Sequence, residues 1–448
     1  MKAIRLNVEP FEFLNVLSWD ATEELGEHGV LRIKGLISED DREAYYRQAA
    51  SETWVSATFV DEEAEEYKLF QGILTNLSIH SEHELHTMEI EVMTGSYLLD
   101  QAPHTRSFQE DSLTYESVIE TCLESEDGWM RMRSQANTPI NQLIMQYKET
   151  NWSFIKRFAS RLGLPLIPEF KMKARHFYVG FEVNGEEIPL HSVTYSIAKD
   201  KAGAQTYTVT SRDVLPLGQT VIFNDMRLMV IKAHRRVHGE ELVNDYTLAF
   251  APLPKQLKPA ARQLNGLSLR GAVTAVKRDR VQIVIHDDAN QADAGHRWFD
   301  YATVYSTPDG TGWFAMPEIG DEIRIVFPEN DEQRAYVVSS VHLSTDGGRE
   351  NPDHKSFKNK QEMEILMTPT EIILRDNQGQ LIELSSASGI KMNSHHSINM
   401  TSGKQIHMNS GSNINLSAKN KVHIEQRVAH IHMEDDIDIA GGKINMNI

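Results

Sequence analysis

The chain has 448 residues, a formal net charge of −19 and a single cysteine. This length suffices for about three domains. The acidic balance argues against broad binding of nucleic acid or anionic membranes, which needs clustered Lys and Arg, and one cysteine excludes an intramolecular disulfide. No apolar run reaches transmembrane length, and the N-terminal residues lack the apolar core of a signal peptide. We therefore expect folding in the cytoplasm without a signal peptide.

Residues 1–105 have the alternating pattern of an all-β unit. The clearest predicted strand runs through HTMEIEVMTG, where apolar residues alternate with glutamates from Met88 to Val92. Just before it, His80, His83 and His86 are three residues apart. Such a step on a strand alternates faces, so the pattern favours a solvated hairpin tip over a zinc site.

Residues 106–175 have helical periodicity. The first helix is predicted in SLTYESVIETCLESE, with Ser112 as its candidate cap, and Cys122 on it is interpreted as a packed residue rather than a nucleophile. The second helix is predicted in NWSFIKRFASRLG. Thr150 or Asn151 can cap it, and Gly163 with the proline that follows ends it.

Residues 176–255 return to an all-β pattern. Two strands are predicted on either side of the basic sequence HRRVH, which runs from His234 to His238. We interpret this sequence as a solvated turn, with a contact surface for an acidic neighbour as the alternative.

A linker is predicted at residues 256–264 from its composition, and residues 265–345 then carry five strand patterns. Five short strands are typical of a small barrel of the OB type. Residues 346–362 are polar and rich in turn residues, so we predict a connector there.

Residues 363–448 contain a repeat of eight residues. Each octad begins with an apolar residue, has a second two places later, and fills the rest with turn-forming residues. The pairs are Ile390 and Met392, Ile398 and Met400, Ile406 and Met408, Ile414 and Leu416, and Val422 and Ile424. One octad cannot form a core, so either one chain coils on itself or three chains intertwine. The trimer is favoured because it buries every pair and leaves no lateral strand edge.

Three segments resemble the VgrG-type spike proteins and phage baseplate hub-spike proteins of contractile injection systems. They are SYLLDQAPHTRSFQEDSLTYESVIE, QYKETNWSFIKRFASRLG and MPEIGDEIRIVF, in that order. The last has Pro317, Gly320, Asp321 and Glu322 at the positions of the motif of the OB domain. Asn151 stands where the family often has aspartate, and both residues can cap a helix.

The resemblance implies a mainly β fold with an α+β hub. In it, residues 1–105 and 176–255 are two hub β-barrels, residues 106–175 are a helical insert, residues 265–345 are an OB-fold collar, and residues 363–448 are a β-helical spike that is triple-stranded and intertwined in a homotrimer. The implied function is a structural hub and a membrane-puncturing spike, which joins a six-fold tube to a three-fold needle without an active site.

The implied partners are other copies of the chain, a ring of tube protein, baseplate proteins, a PAAR-type tip protein and, on firing, the target membrane. Nucleic acid is not among them, and the assembled particle would be released or injected outside the cell. The alternative function is a tail-associated cell-wall hydrolase. Only a short connector occupies the place where some similar spikes carry a lysozyme domain, and no hydrolase motif occurs.

The sequence leaves two registers open near the end of the needle. If the octads continue, His430 and His432 follow Val422 and Ile424 inward, and three chains would offer six imidazoles to a transition metal such as iron. If the register slips by one residue, Ile431 and Met433 point inward instead. No cofactor is required in either register.

Overall fold

The computed structural model describes residues 5–49, 51–60, 66–124, 126–133, 139–182, 186–191, 194–199, 203–238, 241–250, 264–290, 295–339, 351–426 and 429–433. Of residues 238, 425, 426 and 429–433 it describes the backbone only. The chain divides into two compact units, residues 1–342 and residues 343–448. None of the described helices is long and apolar enough to cross a membrane.

The first β unit contains six strands and one short helix. They are β1 (Arg5–Glu9), β2 (Asn15–Glu24), β3 (Val30–Ile37), α1 (Arg42–Gln48), β4 (Trp54–Val60), β5 (Glu66–Glu82) and β6 (Leu85–Met93). In β6, Met88, Ile90 and Val92 are buried as predicted, because alternate residues of a strand point to one face. The β5–β6 turn is the predicted hairpin tip: His80 and His83 are exposed there, while His86 is buried and contacts the Ser81 hydroxyl.

The middle region combines the two predicted helices with five short strands, after a 3₁₀ turn at Gly95–Asp100. The elements are β7 (Pro103–Phe108), α2 (Tyr115–Leu123), β8 (Gly128–Met132), β9 (Ile144–Thr150), α3 (Asn151–Ser160), β10 (Leu166–Pro168) and β11 (Arg175–Val179). Thr150 caps α3 as predicted, since its hydroxyl accepts from the Ser153 amide at 3.2 Å. The prediction of Ser112 as the cap of α2 is wrong. Thr114 caps this helix, in a reciprocal capping box with Ser117.

The second β unit contains β12 (Ile188–Pro189), β13 (Tyr195–Lys199), β14 (Gln205–Ser211), β15 (Thr220–Phe223), β16 (Met226–His238) and β17 (Glu241–Phe250). The two β units form one sheet, because β2 pairs with β16. Its strand order is β1-β4-β5-β6-β3-β2-β16-β17-β14-β13, and β15 and β12 extend it from β16. Side chains of both units also share one buried apolar cluster.

The five strands predicted for the OB segment are all present. They are β18 (Leu267–Lys277), β19 (Arg280–Ile285), β20 (Phe299–Asp300), β21 (Glu322–Phe327) and β22 (Tyr336–Ser339), in the sheet order β20-β19-β18-β21-β22. The β18–β19 turn has Arg278 at a φ of 56°, which a tight hairpin turn requires.

The second compact unit begins with a five-stranded antiparallel meander. Its strands are β23 (Lys355–Lys358), β24 (Glu364–Met367), β25 (Glu371–Arg375), β26 (Leu381–Ser385) and β27 (Gly389–Asn393). A final hairpin pairs β28 (Val422–Gln426) with β29 (Ala429–Met433). The residues between β27 and β28 contain four of the predicted octad corners.

Candidate assembly surface

One face of the meander is apolar. The antiparallel register places Phe357 opposite Ile365, Ile365 opposite Leu374, and Leu374 opposite Ile382. Residues directly opposite each other share a face of the sheet. The apolar side chains of this face are Phe357, Ile365, Met367, Ile372, Leu374, Ile382, Leu384, Ile390 and Met392, and each is 41–75% exposed on the single chain.

The opposite face of the meander, called here the polar face, carries most of the charged side chains of its strands, together with three half-buried apolar residues, Leu366, Ile373 and Leu381. Ile373 is opposite Glu383, and Glu383 is opposite Lys391. On this face the Arg375 guanidinium also donates to Glu364 at 2.7 Å. The meander is therefore amphipathic, and none of its own strands packs against its apolar face.

The octads that follow have regular corners. The backbone bends at residues 395–396, 403–404, 411–412 and 419–420, which is the predicted period of eight. At the first three corners a serine hydroxyl accepts from the amide two residues later: Ser394, Ser402 and Ser410 do so at 3.1–3.2 Å. Ala418 occupies the equivalent place at the fourth corner and has no hydroxyl.

The predicted core pairs lie at the surface of the single chain. Those of the meander and the octads, from Ile390 to Leu416, are 53–75% exposed, Ile424 is 45% exposed, and Val422 is half-buried. The octad pairs are thus exposed apolar side chains on the single chain, as those of the meander face are. Sequence reasoning named the octad pairs but not the meander residues, whose signal was the short apolar runs in EILM, EIILR and LIELS.

The two β units of the hub meet at a row of ion pairs between β2 and β16. Arg235 donates to both carboxylate oxygens of Glu23, at 3.1 and 2.8 Å, and both side chains are at most 4% exposed. Burial lowers the pKa of Arg235, but the contact with Glu23 outweighs it, so the net shift is upward. Outside this buried pair, Lys232 bonds to Glu24 at 2.7 Å.

This geometry corrects both interpretations of HRRVH. His234, Arg235 and Arg236 lie within β16 and pair with Asp20, Glu23 and Asp245, so they form neither a solvated turn nor a surface for an acidic neighbour. Their acidic partners on β2 are more than 200 residues away in sequence, as the separation of 212 for Arg235 and Glu23 shows.

The OB segment is fixed to the middle region by packing and by ion pairs. Leu143 and Met145 enter the apolar cluster of the OB segment. Arg161 of the turn after α3 donates to Glu332 at 2.7 Å. On another side, the Ser107 amide donates to the Asp288 carboxylate at 3.0 Å. The hub and the OB segment therefore form one compact unit.

One group of described residues resembles a hydrolytic site in its residue types. Ser96 Oγ lies 2.9 Å from His28 Nδ1, and His28 Nε2 lies 3.5 Å from Asp100 Oδ2. Although these residue types are those of a catalytic triad, Ser96 is fully buried, so no substrate carbonyl can reach its hydroxyl.

The single cysteine is not a nucleophile either. Burial raises the pKa of Cys122 to about 12, which keeps the thiol protonated and unreactive.

Within the described part of the chain, no group of three or more His, Cys, Asp or Glu side chains is arranged to hold a metal ion. The predicted ligands His430 and His432 lie in β29, and their side chains are outside the described ones. The metal-binding register therefore stays one of the two alternatives that the sequence leaves open.

Comparison with known proteins agrees with this architecture. Residues 269–342 match the family model described as the type VI secretion system/phage-baseplate injector OB domain. The E. coli c3393 protein is described as a component of the type VI secretion system with structural similarity to the T4 bacteriophage tail proteins gp27 and gp5. It is 15% identical, with a TM-score of 0.52 over 74% of this chain and 99% of its own.

The fold is VgrG-like. Chains of the PdpA-VgrG complex support this over a larger share of the sequence. The half-lidded Francisella complex gives 9% identity and a TM-score of 0.55, covering 88% of both chains. The lidless complex gives the same identity and TM-score and covers 88% of this chain and 98% of its own. No curated protein sequence matches the chain. At such identities the VgrG-like similarity establishes the fold.

Proposed function

We propose that the chain is the structural hub and membrane-puncturing spike of a contractile injection system, and that it works as a homotrimer. The proposal is carried by the many exposed apolar side chains between Phe357 and Ile424. Apolar patches of this extent on a monomer mark interaction sites. Two apolar residues per octad provide one side of a triangular core, so three identical chains around one axis would bury all of them.

The function is mechanical in this proposal. Contraction of a sheath drives the tip into the target membrane, and a closed β-structure without lateral edges resists bending and unpairing. The compact hub and OB unit supports the proposal, because the buried Arg235–Glu23 pair and the contacts of Glu332 and Asp288 stiffen it. No geometry among the described residues favours the alternative of a cell-wall hydrolase.

The hub supports a further part of the proposal. Each chain has two β units of similar size joined in one sheet, so three chains would present six similar units. That number matches a six-fold ring of tube protein. The other proposed partners are baseplate proteins, a PAAR-type tip protein and the target membrane, and the proposed location is an assembled particle acting outside the cell.

The proposal is tested on the full chain. Light scattering of the purified protein should give three times the mass of one chain, independent of concentration in the micromolar range. A cryo-EM map of the assembled tip should show the residues up to about 250 against the tube ring. A folded monomer at these concentrations would overturn the homotrimer, and a tip in which this region does not touch the tube would overturn the hub.

A further inference from the structure

The two parts of the second compact unit differ in how the amide and carbonyl groups of their backbone are hydrogen-bonded. In residues 355–393, called here the sheet segment, four hairpins pair each strand with its neighbour along the same chain. The amides and carbonyls of its inner strands are therefore bonded before any other copy is present. The single chain can form this sheet by itself, and only its apolar face is left without a cover.

Residues 394–421, called here the octad segment, have no such ladder. Within the described part of the chain no backbone-to-backbone hydrogen bond is formed by these residues, and their hydrogen bonds are local side-chain ones, at the serine corners and between His407 and Gln405. Extended amides that become buried without partners cost free energy. Strands of this segment can therefore be buried only after other copies supply the missing partners.

The octads also cannot specify the register in which the copies pair. A shift by one octad places Ile398 beside Ile406 and Met400 beside Met408, so apolar side chains still meet apolar side chains. Register is weakly specified where a strand pattern repeats in this way. The sheet segment has no such repeat, since Phe357, Met367 and Leu384 differ in size and in spacing.

We propose that the sheet segment is the element that nucleates trimerisation and sets the register of the needle. Three copies pack their apolar sheet faces together first, and this aligns the octad segments, which then pair between copies. The inference rests on the proposed homotrimer and adds which surface recognises the other copies and in what order the parts assemble.

A matched pair of full-length variants tests the proposal. Leu384→Asp places a charge on the sheet face, and Leu416→Asp places the same charge on the octads, at side chains that are 42% and 65% exposed on the single chain. Light scattering should show that Leu384→Asp loses the trimer. Leu416→Asp should remain trimeric, and hydrogen exchange should show lost protection around residues 406–424 only, with the sheet segment as protected as in the wild type.

Pulsed hydrogen exchange during refolding of the wild type provides a second test that needs no variant. Amides of the sheet segment should become protected first, and those of the octad segment only in or after the concentration-dependent phase. Protection of the octads first, or equal loss of the trimer in both variants, would overturn the proposed order. A wild type that is monomeric would instead contradict the homotrimer itself, so the two failures are distinguishable.

Discussion

His176 is a buried imidazole whose two ring nitrogens have no hydrogen-bond partner among the described residues. Its ring centroid lies 3.6 Å from that of Trp129 and 4.9 Å from that of Tyr178. Burial lowers the pKa of His176 to about 4, with Arg133 and Arg131 lowering it further and Glu169 opposing them. The side chain is therefore held neutral by its surroundings.

This histidine makes the hub sensitive to acid. Between pH 6.5, the ordinary pKa, and about 4, the unfolded chain binds a proton that the folded chain does not, so stability falls as the pH falls through this window. We expect His176→Phe to remove roughly 1–3 kcal/mol of that acid-induced loss. Urea unfolding at pH 7 and pH 4.5 measures it. His80→Phe, at an exposed site, should lose as much free energy of unfolding between pH 7 and pH 4.5 as the wild type does. If His176→Phe lost as much as the wild type, the assignment of the acid sensitivity to His176 would be contradicted.

At the scale of elements, the seam between β2 and β16 joins the two β units of the hub. Neighbouring glutamates on β2 have opposite environments there. Glu23 is 2% exposed and bonds to the buried Arg235, whereas the Glu24 side chain is 47% exposed and bonds to Lys232. The loss of one partner lowers the free energy of unfolding much more in a buried ion pair than in an exposed one.

The two glutamates provide a matched experiment. Glu23→Gln leaves the Arg235 guanidinium buried without its counter-charge, so we expect a loss of about 3–5 kcal/mol in the free energy of unfolding. Glu24→Gln should cost less than about 1 kcal/mol, because water solvates Lys232. Urea denaturation of both variants at pH 7 measures the difference. Similar losses in the two variants would show that the buried pair does not hold the seam.

What the sequence predicts well at this scale is what short-range patterns determine. The octad corners, the β6 alternation and the five strands of the OB segment follow from spacing alone. The seam cannot be predicted in this way, because Arg235 and Glu23 are 212 residues apart in the sequence. Without its acidic partners, the basic sequence HRRVH has the pattern of a solvated turn. The Ser112 error is of another kind: Ser112 and Thr114 are both cap residues, and the Thr114–Ser117 capping box decides between them.

At the scale of the whole molecule, the charge and the apolar surface have opposite effects on assembly. Each chain carries a formal net charge of −19, so three copies repel one another at long range. Burial of apolar side chains acts only at contact. The acidic residues of the meander lie on its polar face, where Glu364 pairs with Arg375. Packing through the apolar faces would thus bring the copies together with these carboxylates in water.

The β28–β29 hairpin provides a test at the C-terminal end of the proposed three-fold needle. The β28–β29 hairpin pairs Ile424 with Ile431 and Val422 with Met433 in its backbone register. This is the register in which apolar residues, and not His430 and His432, continue the octad pairs. We therefore expect elemental analysis of the purified trimer to find no bound transition metal, and unfolding of wild type and His432→Ala to be equally insensitive to chelator. About one iron per trimer, lost in His432→Ala, would instead establish the histidine register.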